Sequence, residues 1–129
     1  MNFHWNLCNM SNNQYLKEQF YYDGTHHYRV DKLVKEAKNI NPVEVNIDTL
    51  FESINLDLKD VWDEISDMEE FVDHCKRVME ADLSYPILVI KDTNEVCDGC
   101  HRIVKAKILN KKTILVKYIE KSAIEKHKS

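Results

Sequence analysis

The chain has 129 residues, 43% of them apolar and 31% charged, with a formal net charge of −4. That length fits one domain with one modest core, and the mildly acidic total gives no global attraction to nucleic acid or to anionic membranes. Glycine and proline number only two each, which leaves no low-complexity linker.

The first twenty residues, MNFHWNLCNMSNNQYLKEQF, are polar and Asn-rich and read as an extension ahead of a single domain over 21–129. They contain no basic region followed by an apolar one, so no secretory signal is expected. No apolar run approaches the length of a membrane span. Both absences point to the cytoplasm, where Cys8, Cys75, Cys97 and Cys100 should be reduced thiols.

Val30, Leu33, Val34 and Ala37 recur at helical spacing, and Asp23 or Thr25 is placed to cap the start. The run Pro42–Ile47 alternates and is β-branched, so it reads as a strand. From Asp60 to Ala81 the apolar residues Val61, Ile65, Met68, Val72, Cys75 and Met79 predict an amphipathic helix, broken near Ser66-Asp67, with a solvated acidic face opposite. Tyr85–Ile90 is short and continuously apolar, as a buried strand would be. The turn Asp92–Asn94 and a short returning strand follow. Gly99 breaks that strand, a helix runs from Cys100 to Leu109, and Asn110 supplies the left-handed residue that ends it. Thr113–Ile119 is another strand, and the tail adds a short helix. The sum is an α+β fold, a small mixed sheet with packed helices.

Acids dominate between Val43 and Asp82, whereas lysines outnumber acids roughly two to one from Lys91 onward. The C-terminal lysines lack an arginine–aromatic pattern, so nucleic acid is not an expected partner.

The stretch EVCDGCHRIVKAK, Glu95 to Lys107, carries the chemistry. A helix start offers unpaired N–H groups and the positive end of the helix dipole. Gly99 lets the backbone curl, and His101, Arg102 and Lys105 add donors or charge. Together they predict an anion cradle suited to phosphate. Cys100 sits in the first turn, where a thiolate is favoured. Two other readings attach to the same residues. Cys97-Asp98-Gly99-Cys100-His101 spells the haem-attachment pattern, which the lack of an export signal argues against. Cys97 and Cys100 also form a C-x-x-C pair, for redox chemistry or for zinc with help from His26, His27, His74 or Cys75. No second spaced pair of thiols accompanies them, so neither zinc nor haem is expected. DGTHHY, Asp23 to Tyr28, echoes DGCHRI, Asp98 to Ile103, and would open a second helix after a glycine, but the flanks differ, so coincidence and not an internal repeat is expected.

The run YPILVIKDTNEVCDGCHRIVKAKILNKKTILVKYI resembles the core of the ParB/sulfiredoxin superfamily. Pro86-Ile87-Leu88-Val89, Asp98-Gly99-Cys100-His101-Arg102 and Lys112-Thr113-Ile114-Leu115-Val116 match its three blocks in order and spacing, and Val43–Leu50 resembles its first strand. The resemblance implies a ParB/sulfiredoxin-like fold and a nucleotide ligand, ATP or CTP in known members. Asp98, Gly99, Cys100, His101, Arg102 and Lys105 would hold its phosphates, with Mg²⁺ bridging and Asp98 as a contact. In the sulfiredoxin form of the box the cysteine is the catalytic thiol, which would make Cys100 the nucleophile on a sulfinic acid. Sulfiredoxins also carry an Arg-Pro and a helix lysine that reach the nucleotide. Here the corresponding segments, Thr49–Leu58 and Ser66–Phe71, lack arginine and are acidic. Whether the domain is a small phosphotransferase or hydrolase, or a non-enzymatic module that binds a nucleotide, stays open at this point, as does a protein partner on the acidic helix 60–80.

Overall fold

The computed structural model describes residues 20–53, 65 and 67–128. The expected extension, apart from Phe20, lies outside the described residues, as does the first part of the helix expected from Asp60. In chain order the elements are strands β1 (Phe20–Tyr22) and β2 (His27–Arg29), helix α1 (Val30–Glu36), strand β3 (Val43–Asn46), and helices α2 (Ile47–Ser53) and α3 (Met68–Glu80). Strands β4 (Ile87–Ile90) and β5 (Val96–Asp98), helix α4 (Cys100–Ile108), strand β6 (Thr113–Ile119) and helix α5 (Lys121–Ile124) follow, with a 3₁₀ turn at Glu125–His127. The class is mixed α+β.

Four strands form the main sheet in the order β3-β6-β4-β5. Strand β6 runs antiparallel to β3 and parallel to β4, and β4 pairs antiparallel with β5. All four residues of β4 are buried, because its two sides serve two cores. Side chains alternate across a strand. Ile87 and Val89 join Val96, Cys100, Ile103, Ala106, Ile114 and Val116 on the α2/α4 side. Leu88 and Ile90 join Cys97, Ile119, Ile124, Leu33 and the tyrosines of the hairpin on the α1/α5 side. Cys97 and Cys100 therefore belong to different cores with the sheet between them, and they do not make the C-x-x-C pair that the spacing allowed. Burial, with Asp98 and Glu95 nearby, pushes the Cys97 thiol well above its ordinary pKa.

Helix α4 begins and ends where the glycine and asparagine put it. Gly99 is its left-handed N-cap. Asn110 has a φ of 56°, which lets the Lys111 N–H reach back to the Ala106 carbonyl at 3.0 Å.

The N-terminal part differs from expectation. Asp23 and Thr25 do not cap α1, whose N-cap is Arg29 without a side-chain hydrogen bond. Gly24 turns a β-hairpin instead of opening a helix, so the echo between Asp23–Tyr28 and Asp98–Ile103 is not structural. Strands of three residues are too short to show alternation, and Val34 of the expected inner stripe is 48% exposed. The Asp23 carboxylate is the hub of this hairpin. It accepts from the Thr25 and His26 amides at 2.8 and 2.7 Å, from the Tyr28 hydroxyl at 2.8 Å and from Lys121 Nζ at 2.6 Å.

Helix α3 is the larger surprise. Asp67 caps it by accepting from the Glu70 amide at 2.8 Å, close to the expected break. Its buried residues are His74, Arg77 and Val78, not the apolar stripe. Met68, Val72, Cys75 and Met79 point outward. The inward face is polar because its neighbour α4 presents His101 and Lys105, which pair with polar groups of α3.

Asp23 gives a stability prediction. Its four donors outweigh burial and hold the carboxyl well below the usual range. A depressed carboxyl pKa stabilises the fold above its unfolded value, and that contribution is lost as pH falls below about 4. Asp23→Asn should cost about 1–3 kcal/mol at neutral pH in urea denaturation, and the gap between variant and parent should narrow below that pH.

Candidate functional site

The site is built around the junction of β5 and α4. Gly99 has a φ of 117°, and a Cβ placed there would come within 2.5 Å of Ile87 Cγ2 and 2.8 Å of Ile87 Cβ. The glycine is needed twice, for its left-handed backbone and for close packing of the turn on β4. The Ile103 N–H then bonds the Gly99 carbonyl at 3.0 Å, which leaves the first N–H groups of α4 without partners inside the helix. The hydrogen bonds outside helices include none from the Cys100 or Arg102 amide among the described residues.

The side chains expected to meet phosphate are engaged elsewhere. Arg102 Nη2 donates to Asp98 Oδ2 at 2.9 Å, and Nη1 donates to the carbonyls of Tyr85 and Pro86 at 3.0 and 2.8 Å. It ties the turn before β4 to the start of α4. Lys105 Nζ donates to the Met79 and Ala81 carbonyls at 2.8 and 2.6 Å, which satisfies the C-terminal end of α3. His101 is buried and stacked on His74, with ring centroids 5.1 Å apart and Nδ1 of His74 2.9 Å from Nε2 of His101. Desolvation, with Arg77 close to both, lowers His74 to about 4 and His101 to about 3. Both rings are neutral at pH 7, and His101 brings no charge to an anion. Cys100 is 5% exposed and packs with Ile87 and Ile103 in the α2/α4 core.

Asp98, Gly99, Cys100, His101 and Arg102 nonetheless line one cleft of about 970 Å³. Lys105 is not part of its wall. The opposite walls come from Val34 of α1 and its C-cap Ala37, from the C-terminal end of α3, and from Tyr85 and Pro86. Arg77 and Lys117 also line it, and no motif marked either residue. Arg77 is 7% exposed and bonds Asp73 at 2.7 Å. Lys117 projects from β6 and donates to the Ala37 carbonyl at 3.1 Å. Three cations, Arg77, Arg102 and Lys117, face three acids, Glu80, Asp82 and Asp98. Among the described residues no group of three or more His, Cys, Asp or Glu side chains is placed to hold a metal ion, and no helix is long and apolar enough to cross a membrane. No protein-family model, curated protein or solved structure matches the chain.

Two predictions concern this junction. Gly99→Ala should cost at least about 2 kcal/mol, seen as a lowered thermal midpoint, since it combines a strained φ with overlap on Ile87. The histidine pair makes stability depend on pH with a definite sign. Between the unfolded histidine pKa of about 6.5 and the folded values, the unfolded chain binds more protons, so stability falls as pH falls. His74→Asn with His101→Asn should flatten that slope between pH 6.5 and 4 in chemical denaturation.

Proposed function

We propose that the protein is a small binding domain whose cleft takes a phosphate-bearing ligand of nucleotide size, without using Cys100 as a nucleophile. The observation that carries this reading is the convergence of the Asp98–Arg102 box and the N-terminus of α4 on a single cleft. Its volume of about 970 Å³ is within the range of small-molecule sites. The resemblance to the phosphate-holding box of the ParB/sulfiredoxin superfamily supports the same ligand class. Recognition would rest on the Cys100 and Arg102 amides and on the dipole of α4, with Arg77, Arg102 and Lys117 supplying charge around them.

The reading as a binding module instead of an enzyme draws on the side chains. A nucleophilic thiol must be accessible, and Cys100 is 5% exposed and packed among aliphatic residues. Arg102 and Lys105 already hold the chain's own carbonyls and carboxylate. The three acids in the wall oppose a polyanion, so affinity is modest and governed by charge balance.

Calorimetric titration with ATP, ADP, CTP, GTP and inorganic phosphate, with and without Mg²⁺, tests the reading. Binding of at least one nucleotide is expected. Lys117→Ala should weaken it. Asp82→Asn, which keeps an acceptor for Ser84 while removing a like charge, should tighten it about two- to fivefold. Cys100→Ala should bind as the parent does. Absence of binding by all five compounds, or an Asp82→Asn variant that binds more weakly, sinks the proposal.

A further inference from the structure

Helix α3 carries its apolar stripe on the outside. Met68 is 74% exposed, Phe71 53%, Val72 45% and Met79 74%, and Cys75 is exposed between them. At 100° per residue these five positions fall within an arc of about 100°. The other side of the helix is anchored, with His74, Arg77 and Val78 buried and Lys105 holding its C-terminal carbonyls. The stripe thus lies opposite the packed side of α3 and faces outward. Scattered apolar residues on a surface need no explanation, but a contiguous row along one helix marks an interaction face.

The charges along the stripe say what fits it. Its inner edge is closed by the protein body at His74 and Val78. Its outer edge carries Glu69 and Lys76, both exposed. They are seven residues apart, so they share nearly the same bearing and lie about 10 Å apart along the axis. That separation is too great for a pair within the helix. A second α3 laid antiparallel across the stripe, with a two-fold axis beside Val72, brings the two outer edges together. Glu69 of each copy then sits level with Lys76 of the other, giving two opposite-charge pairs beside a continuous apolar seam. A parallel pairing would instead set the charged edge against the other copy's body.

We propose that the chain self-associates through the outward stripe of α3, pairing antiparallel about Val72 with Glu69 and Lys76 matched across the interface. A 13-residue helix is about 20 Å long, and such a seam is small beside a standard protein interface. The dimer is therefore concentration-dependent. This surface is separate from the cleft, and its test is independent of any nucleotide.

Sedimentation equilibrium of the full chain should show monomer and dimer exchanging as concentration rises. Val72→Glu should raise the dissociation constant at least about tenfold while circular dichroism and thermal midpoint stay near the parent's. Glu69→Lys and Lys76→Glu should each weaken the dimer by about three- to tenfold, and the double reversal should restore it. With Cys8→Ser and Cys75→Ser in place, and with Cys97 and Cys100 buried, Val72→Cys should form a disulfide-linked dimer under mild oxidation, because residues beside a two-fold axis meet their own copies. A chain that stays monomeric at every concentration overturns the proposal. So does a dimer indifferent to Val72→Glu, or a double charge reversal that restores nothing.

Discussion

Arg102 joins three stretches of chain that would otherwise only lie near one another. Its guanidinium holds the Asp98 carboxylate at the end of β5 and the carbonyls of Tyr85 and Pro86 ahead of β4, while its backbone belongs to the first turn of α4. Planar guanidinium donors in a fixed fork suit such a task better than a flexible ammonium. The clamp fixes the turn that forms one wall of the cleft relative to the helix start that forms its floor. With 15% side-chain exposure on Arg102 and 24% on Asp98, the pair is shielded enough for the geometry to matter.

That arrangement changes the meaning of the sequence motif. The box Asp98-Gly99-Cys100-His101-Arg102 resembles a phosphate cradle in which side chains supply charge. In this fold the same letters supply a packing glycine, a core thiol, a neutral stacked imidazole and a structural guanidinium. On the reading proposed above, a ligand would meet the backbone and the end of the helix, together with Arg77 and Lys117 from elements far away in sequence. The charge of the cleft is thus a balance of Arg77, Arg102 and Lys117 against Glu80, Asp82 and Asp98, not a property of the box alone.

The half of the fold after Tyr85 was legible because its signals are local. A run of β-branched and aliphatic residues made β4 and β6, Gly99 broke β5, and Asn110 stopped α4. The hairpin was hidden by its brevity, and its key residue, Asp23, looked like a helix cap because a hairpin turn and a helix start ask the same hydrogen bonds of an aspartate. For α3 the periodicity gave the helix and its apolar side but not the direction that side faces. Periodicity measures segregation within one element, and which side turns inward depends on what the neighbouring element offers. Here α4 offers His101 and Lys105, and the polar side of α3 answers them. The roles of Arg102 and Lys105 were illegible for a related reason: apart from the Asp98 carboxylate, four residues before Arg102, their acceptors are carbonyls, which every residue possesses and no sequence pattern reveals.

The sheet also acts as a partition. Cys97 and Cys100 are three positions apart in the chain, yet each sulfur is embedded in a different apolar layer, and the strand that separates them is hydrogen-bonded to β4. Joining them would require β5 to unzip and Gly99 to abandon its place against Ile87. The fold thereby keeps the two most suggestive thiols of the sequence chemically silent toward each other for as long as the sheet remains closed.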